Sequence, residues 1–339
     1  MERDIALPGV DDRLVWDVWG SAVHLPAVLV ADALGIFEAL AAQPASREEL
    51  AARLDLDGQG LAGLLPLLAC LGFLAKRLGR FGLTEAGQRY LRRGQPFYWG
   101  EALGVMRELP MVGALCRALA DKAGPGQFQA AKGWADGRLD QEAAEAAARV
   151  MQGQSLAAAL GLAASGHFRG VSRLLDVGGG SGCFAIALAR RDPALRCTVM
   201  DLPAMCQAAA GYLASADLGR RVDTLARDMF RDPWPEDHDA VLLSNVVHDW
   251  DEATNRDLAA RAFRSLPRGG RVFVHEILLD DDGVGPLAAA ALSVLLYLAV
   301  GGRQYAAGEV AAFLAKAGFV DIGVHAAHGY FSLVTARKP

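Results

Sequence analysis

The chain has 339 residues, of which 53% are hydrophobic, and it carries a formal net charge of −5. That length can bury one large core or two smaller ones, so we expect two domains. The acidic balance offers no electrostatic footprint for nucleic acid. The five cysteines are scattered and have no C-x-x-C spacing, which argues against a disulfide framework or a structural zinc site and favours reduced thiols in a cytoplasm.

The N-terminal sequence predicts neither a secretory signal nor a membrane anchor. It reads MERDIALPGVDDR, with acidic residues early and without the basic-then-apolar order of a signal peptide. The longest apolar runs, at residues 61–75 and 287–300, are shorter than the roughly 18 to 20 residues that a membrane span needs. We therefore expect a cytoplasmic protein and no membrane insertion.

The first half of the chain, from about residue 12 to 165, has mostly helical periodicity. Ser46 and Glu49 form a capping box that opens a short helix. A second apolar helix follows a turn, and GFLAKRLGRFGLTEAG then predicts two short strands around a glycine-centred turn. Helix, turn, helix and hairpin together suggest a winged helix.

A winged helix raises the alternative of a ligand-responsive DNA-binding regulator. Its second helix, residues 58–72, contains no Lys or Arg to contact phosphates and no Asn after its start to contact a base edge. Such a helix is suited to burial. The sequence therefore favours a domain that packs against a second copy of the chain and binds no nucleic acid.

Beyond about residue 172, short runs rich in Val, Leu and Ile alternate with helical segments. This alternation is typical of βαβ units in a mostly parallel, doubly wound, Rossmann-like sheet. We expect an α/β fold with a helical dimerisation and substrate-lid domain at residues 1–165 and a ligand-binding domain at residues 166–339.

A glycine loop in LLDVGGGSGCFAIALARR follows the first predicted strand of that sheet. Gly178, Gly180 and Gly182 let the backbone turn tightly and let a ligand approach a helix N-terminus. The spacing is G-x-G-x-G and lacks the last glycine of a dinucleotide fingerprint, because that place holds Cys183. The loop therefore fits a nucleoside ligand without a pyrophosphate.

Polar residues end the next three predicted strands. Asp201 lies about 20 residues beyond the loop, where a carboxylate can accept hydrogen bonds from ribose hydroxyls. Asp228 and Met229 follow the third strand, and SNVVHDWDE brings His248 after the fourth. Ligands of open α/β sheets bind at the carboxyl edge, so we expect these residues to share one crevice with the glycine loop.

Several segments in order, LLDVGGGSG, DLP, RDMF, HDWDE, LPRGGRVFVHE, GGRQY and KAGF, resemble one family over most of the chain. The chain is similar to small-molecule O-methyltransferases with an N-terminal winged-helix dimerisation domain, which depend on S-adenosylmethionine. The resemblance implies a homodimer. It also implies the following cofactor-binding set: Gly178, Gly180, Gly182, Asp201, Leu202, Asp228, Met229 and, in place of a Lys of many plant members, Ser244.

The same resemblance assigns the catalytic residues. His248 matches the family's general base, and Glu276 matches the acidic residue that orients it. The family's second acidic residue is replaced by Gln304, which can form hydrogen bonds but offers no negative charge to an imidazolium. We therefore expect His248 to be a weaker base than in the family pattern.

Three further assignments concern side chains around this site. Met151 and Ser155 would lie near the cofactor. The aromatic segment at residues 96–111 and the helix around Trp134 match the family's substrate lid, although core packing is the simpler interpretation. Asp249, Asp251 and Glu252 could bind Mg²⁺, but at a helix start they more simply complement the helix dipole, so no metal site is predicted.

The resemblance thus implies an S-adenosylmethionine-dependent O-methyltransferase that acts on a phenolic hydroxyl of a small secondary metabolite such as an antibiotic precursor. A family relative that methylates carbon or nitrogen, or that carries out a non-methylating reaction, is the alternative. The departure at Gln304 is the sequence feature that leaves it open.

Overall fold

The computed structural model describes residues 6–104, 106, 108–122 and 137–339. Its helices are α1 (Arg13–Gly20), α2 (His24–Ala33), α3 (Ile36–Ala42), α4 (Arg47–Leu54), α5 (Gly58–Cys70), α6 (Gly100–Gly104), α7 (Pro110–Ala120), α8 (Gln141–Ala164), α9 (Cys183–Arg191), α10 (Pro203–Ala216), α11 (Glu252–Ser265), α12 (Leu287–Val300) and α13 (Ala307–Ala317). Its strands are β1 (Leu74–Arg77), β2 (Arg80–Leu83), β3 (Arg173–Val177), β4 (Arg196–Asp201), β5 (Val222–Ala226), β6 (Ala240–Ser244), β7 (Arg271–Ile277), β8 (Val320–Ala326) and β9 (Phe331–Arg337).

The chain forms two compact units that are not divided by one cut at residue 165. The sheet unit takes the described residues up to Arg13, from 137 to Leu278 and from Ala307 onward. The helical unit takes those from Leu14 to 122 and the later segment Leu279–Ala306. Helix α8 therefore belongs with the sheet, and α12 belongs with the N-terminal helices.

Small residues explain why α12 joins the helical unit. A Cβ on Gly60 would lie 2.7 Å from the Tyr297 ring, and one on Gly63 would lie 3.1 Å from the backbone of Ser293, so the two helices approach closely. The Tyr297 hydroxyl donates to Oδ2 of Asp57, the residue that caps α5, at 2.8 Å. This hydrogen bond joins residues 240 apart in sequence, which periodicity alone does not reveal.

The predicted helix-turn-helix and hairpin are present in the helical unit. Ser46 and Glu49 form the reciprocal capping box at the start of α4, with hydrogen bonds of 3.2 and 2.9 Å. Strands β1 and β2 pair antiparallel across a turn at Leu78 and Gly79, which have φ values of 48° and 77°. Two successive positive φ values are typical of the type I′ hairpin turn.

The first helices include an apolar stretch that the sequence prediction passed over. Residues Arg13–Ala33, 21 residues with a mean hydropathy of 1.5, are long and apolar enough to cross a membrane by length and composition. Within this stretch α2 is mostly buried, from Pro26 to Asp32, inside its own unit. Core packing of α2 thus accounts for that part of the apolar stretch.

The sheet unit has seven strands in the order β5-β4-β3-β6-β7-β9-β8. The first five are parallel, and β9 is antiparallel to both of its neighbours, β7 and the edge strand β8. Strands β6 and β7 are buried along nearly their whole length, as is usual where helices cover both faces of a parallel sheet. This mostly parallel, doubly wound sheet confirms the predicted fold class, and its carboxyl edge carries the candidate site.

Candidate active site

The glycine loop between β3 and α9 adopts a conformation that suits glycine. Gly178, Gly180 and Gly182 have φ values of 66°, 56° and 77°, in the left-handed region that other residues rarely enter. A Cβ on Gly178 would lie 3.0 Å from Val246, and one on Gly180 would lie 2.7 Å from Met151. Strain and close neighbours therefore both exclude side chains at Gly178 and Gly180.

Asp201, at the end of β4, is joined to the loop by backbone hydrogen bonds. Its Oδ2 accepts from the Gly180 N–H at 2.9 Å, and its Oδ1 accepts from the Leu202 N–H at 2.7 Å. Burial raises the pKa of Asp201 to about 6, although these two amides oppose the rise. A carboxylate fixed beside the loop can exchange a backbone partner for ligand hydroxyls.

Asp176 lies beneath the loop and was not singled out from the sequence. Asp176 is 1% exposed, and within the part of the chain that the structure describes neither of its carboxyl oxygens has a hydrogen-bond partner. A Cβ on Gly179 would lie 2.8 Å from the Asp176 carboxyl group, which explains the middle glycine of the loop. Burial, together with the charge of Asp201, raises the pKa of Asp176 to about 7.

Asp228 and Met229 follow β5 in a tight turn. The Oδ1 atom of Asp228 accepts from the Phe230 N–H at 2.8 Å, and its Oδ2 atom pairs with Arg231 at 3.0 Å. The Met229 carbonyl accepts from the indole N–H of Trp234 at 2.8 Å, and its side chain is half-buried. The turn therefore fixes both positions at the carboxyl edge of the sheet.

Ser244, at the end of β6, has a different partner from the one that the resemblance implies. Its hydroxyl lies 2.9 Å from Nδ1 of His275, its register partner on β7. Burial lowers the pKa of His275 to about 3, so this ring is neutral, and it stacks on Phe331 with ring centroids 4.7 Å apart. Ser244 and His275 therefore form a buried packing pair.

His248 and Glu276 form the central contact of the site. Nδ1 of His248 lies 2.7 Å from Oε2 of Glu276, whose side chain is 2% exposed. The other oxygen, Oε1, accepts from the backbone N–H groups of Val246 and Val247, both at 3.0 Å. One carboxylate thus holds both the histidine and the turn that carries it.

Two charges compete with burial at His248. Burial lowers the pKa of the imidazole, but the nearby carboxylates of Glu276 and Asp249 outweigh it and raise that pKa to about 9. The Asp249 carboxylate lies 3.4 Å from Nε2, the nitrogen that Glu276 leaves open. Burial of the Asp249 carboxyl group raises its own pKa to about 6. The sequence prediction had treated Asp249 only as a helix-start residue.

Three polar residues shape the turn around His248. Asn245 has a φ of 55°, a left-handed conformation that asparagine tolerates well. Asn255 donates to the carbonyls of Val247 and Trp250 at 2.9 and 3.1 Å. Asp251 caps α11 by accepting from the Thr254 N–H at 2.8 Å, the simpler of its two interpretations. Asparagine at the end of a predicted strand is the one signal that could have indicated this turn.

Gln304 lies in the helical unit, within the segment Leu279–Ala306. The residue is 1% exposed, and neither atom of its side-chain amide has a hydrogen-bond partner among the described residues. Its backbone N–H donates to the Ser293 hydroxyl at 3.1 Å. An unsatisfied buried amide is costly, which indicates a position shaped for a polar contact.

Helix α8 packs against the glycine loop within the sheet unit. The Ser181 hydroxyl donates to Gln152 at 3.0 Å, and Met151 lies beside Gly180. Ser155 is buried in the same helix. Gln152 was missed in the sequence because a lone helical glutamine carries no signal. Trp134 and the helix predicted around it lie outside the described residues.

These residues fit a nucleoside that carries a positive charge. The loop leaves room where side chains would otherwise lie, and Asp201 provides a carboxylate at the same edge. The buried, unpartnered carboxyl group of Asp176 is suited to a cation. Gly178, Gly180, Asp201 and Asp176 would hold such a cofactor.

Comparison with known proteins gives the family. A model of the O-methyltransferase domain matches residues 115–320, and a model of the O-methyltransferase dimerisation domain matches residues 16–93. The chain belongs to the O-methyltransferase family. It is accordingly an S-adenosylmethionine-dependent O-methyltransferase, as the sequence predicted.

Individual relatives cover nearly the whole chain. The 3-hydroxy-5-methyl-1-naphthoate 3-O-methyltransferase of Streptomyces sahachiroi is 37% identical over 85% of this chain and 84% of its own length. The tetracenomycin polyketide synthesis 8-O-methyltransferase of Streptomyces glaucescens is 30% identical over 98% and 97%. A family 2 O-methyltransferase from Planctomyces limnophilus, solved in complex with apigenin, has a TM-score of 0.89 at 28% identity, with full coverage of both chains.

Proposed function

We propose that this O-methyltransferase methylates a phenolic hydroxyl of a small aromatic natural product, with His248 as the general base. The observation that carries the proposal is the 2.7 Å contact between Nδ1 of His248 and Oε2 of Glu276. It leaves Nε2 as the nitrogen that can accept a proton. Relatives that act on a hydroxynaphthoate and on a tetracenomycin intermediate, and one solved with apigenin, support a phenolic acceptor.

The chemistry requires removal of a proton from a weak acid. A phenol has a pKa near 10, so only about 0.1% of it is ionised at neutral pH. General-base catalysis by a positioned histidine contributes typically about 10² to 10⁴ in rate. Glu276 fixes the tautomer with the proton on Nδ1 and stabilises the imidazolium that forms when Nε2 takes the phenolic proton.

S-adenosylmethionine, when bound, supplies an activated methyl group on its sulfonium. The residues of the chain contribute placement, because holding two reactants in line can lower a barrier by roughly 7 to 11 kcal/mol. Gly178 bears directly on this placement, because a Cβ there would lie 3.0 Å from Val246, two residues before the base. The glycine loop and the base are thus held by one set of packed residues.

We also propose that the chain acts in the cytoplasm as a homodimer assembled through its N-terminal domain. The match to a dimerisation domain begins at residue 16, within α1. Three apolar residues on this helix are largely exposed: Leu14 (79%), Val15 (70%) and Val18 (74%). An exposed apolar helix face supports a protein partner, and a second copy fits the dimerisation match.

Replacement of the base tests the assignment. His248→Gln should lower kcat for methylation of a hydroxynaphthoate or flavonoid phenol by about 10² to 10⁴, because the proton acceptor is lost. The affinity for S-adenosylhomocysteine, measured by calorimetry, should stay within about threefold, since the glycine loop is unchanged. The product should gain the mass of one methyl group.

The matched control is His167→Gln. His167 is partly buried in the same unit, and its ring lies tilted against that of His325, with centroids 4.2 Å apart. It should retain the wild-type kcat. Full activity of His248→Gln, or a methyl group found on carbon or nitrogen of the acceptor, would contradict the proposal.

A further inference from the structure

A cleft opens at the amino edge of the large sheet, opposite the edge that carries the glycine loop. It encloses about 220 Å³ between the last residues of α8 and α9, beside the segments that lead into β3 and β4. The five residues of β3 lie between this edge and the glycine loop, a length of about 16 Å at roughly 3.3 Å per residue. The cleft is therefore separate from the candidate active site.

The lining of the cleft combines an apolar wall with two guanidinium groups. The wall is formed by the buried side chains of Phe168, Leu188 and Leu195. Arg169 comes from the segment before β3, and Arg191 comes from the last turn of α9. Neither arginine forms an ion pair with any residue that the structure describes. Both charges thus remain available to a ligand.

The negative groups at this end of α9 already have partners. Asp192 lines the cleft, and its Oδ1 atom accepts from the Ala194 N–H at 2.9 Å. The guanidinium of Arg221 donates to the carbonyls of Ala189 and Asp192, where the helix dipole is negative. Two positive side chains and one negative side chain therefore line the cleft, and its net charge is positive.

The segment that carries Arg169 is held in place by β7. The Arg271 guanidinium donates to the carbonyls of His167 and Arg169 at 3.1 and 2.8 Å. The Phe168 ring stacks on Phe273, with ring centroids 4.2 Å apart. Because the wall and one guanidinium are fixed before any ligand arrives, binding does not have to order this segment, and that lowers its entropic cost.

We propose that this cleft is a second ligand site, which binds a small aromatic carboxylate and is coupled to the glycine loop. The carboxylate pairs with Arg169 and Arg191, because guanidinium groups match the planar, charged oxygens of a carboxylate. The aromatic ring lies on the apolar wall. A dry apolar cavity of about 150 Å³ holds one benzene ring, so this cleft has room for a small aromatic ring system with its carboxylate.

The coupling follows from the two helices that end at the cleft. Helix α9 begins directly after the glycine loop, with Gly182 as its N-cap, and α8 contacts the loop through Gln152, which accepts from Ser181 at 3.0 Å. A ligand bound between the ends of both helices acts on the packing that holds the loop. Occupancy of the cleft should change the affinity for S-adenosylhomocysteine at least about threefold, and S-adenosylhomocysteine should change the affinity for the carboxylate by the same factor.

Calorimetric titration of the full chain with 2-naphthoate, which has no hydroxyl group to methylate, tests the site. Arg191→Gln should weaken binding at the cleft by about tenfold, because a charge-assisted hydrogen bond is lost. Ala164→Phe places a ring in the cleft at the exposed last residue of α8 and should abolish binding there. Arg264→Gln, at an exposed arginine on α11, is the matched control and should bind as the wild type does. The neutral 2-naphthamide should bind about tenfold more weakly than the carboxylate.

The affinity for S-adenosylhomocysteine shows whether each variant is folded, so loss of 2-naphthoate binding alone assigns the effect to the cleft. Unchanged 2-naphthoate binding in both Arg191→Gln and Ala164→Phe would put the ligand elsewhere and overturn the proposal. Equal binding of the amide and the carboxylate would also overturn it, because the guanidinium groups would then have no role. An affinity for S-adenosylhomocysteine that saturating 2-naphthoate leaves unchanged would overturn the coupling.

Discussion

At the scale of single residues, Glu276 has two structural tasks. One oxygen contacts Nδ1 of His248 at 2.7 Å, and the other accepts from two successive backbone N–H groups at 3.0 Å. Because the side chain is 2% exposed, these charge-assisted hydrogen bonds act in a low dielectric and are stronger than in water. The same carboxylate therefore sets both the position of the turn and the tautomer of the base.

Replacing Glu276 with Gln should separate these two tasks. The amide oxygen can still accept from Val246 and Val247, but the amide NH₂ then faces Nδ1 and favours the tautomer with the proton on Nε2, which cannot act as the base. We expect kcat to fall by about 10² to 10⁴ while the melting temperature changes little. Single-turnover methylation and thermal unfolding provide the two measurements.

The pH dependence of the same reaction follows from the raised pKa of His248. The active base is deprotonated, so kcat/KM of the wild type should rise with pH through about 9. Loss of the Glu276 charge lowers that pKa, and the limb should move to lower pH in Glu276→Gln. Glu252→Gln, at an exposed carboxylate that pairs with Arg256, is the control and should keep the wild-type limb. An unmoved limb in Glu276→Gln would exclude His248 as the titrating base.

At the scale of elements, the site depends on loops that pack on one another after separate strands. Gly178 N–H donates to the Met200 carbonyl at 2.8 Å, which ties the loop after β3 to β4. A Cβ added to the same glycine would lie 3.0 Å from Val246, which follows β6. The cofactor loop and the catalytic turn are therefore closely packed against each other.

This packing makes Gly178→Ala a test of the coupling. The added methyl group is strained at a φ of 66° and presses on Val246, a β-branched side chain with little freedom to rotate. We expect a loss of roughly 1 to 2 kcal/mol in the free energy of unfolding, weaker S-adenosylhomocysteine binding and a lower kcat. Denaturant unfolding, calorimetry and initial rates measure the three effects.

Gly153→Ala is the matched control on α8. Its Cβ would meet nothing within 4 Å, and its φ is not in the left-handed region. Alanine there should leave activity unchanged and stabilise the helix by up to about 1 kcal/mol. If both variants behaved alike, the contact between the loop and Val246 would not matter for function.

At the scale of the whole molecule, the sequence predicted what depends on local patterns. The alternating strands, the capping box at Ser46 and the glycine loop follow from periodicity and short motifs. The allocation of α12 to the helical unit did not follow, because it depends on Tyr297 meeting Asp57 far away in sequence. Asp176 was missed for a similar reason: only its burial and its missing partners set it apart.

The assembly proposed for the whole molecule predicts the effect of a charge on α1. Val18→Asp places a carboxylate on an apolar face where a second copy would bury it, so the variant should be monomeric at concentrations where the wild type is dimeric. Analytical ultracentrifugation measures this. Val150→Asp, on another helix and at a residue 57% exposed, is the matched control and should remain dimeric. A dimeric Val18→Asp would exclude α1 from the interface, and a monomeric wild type would exclude the dimer altogether.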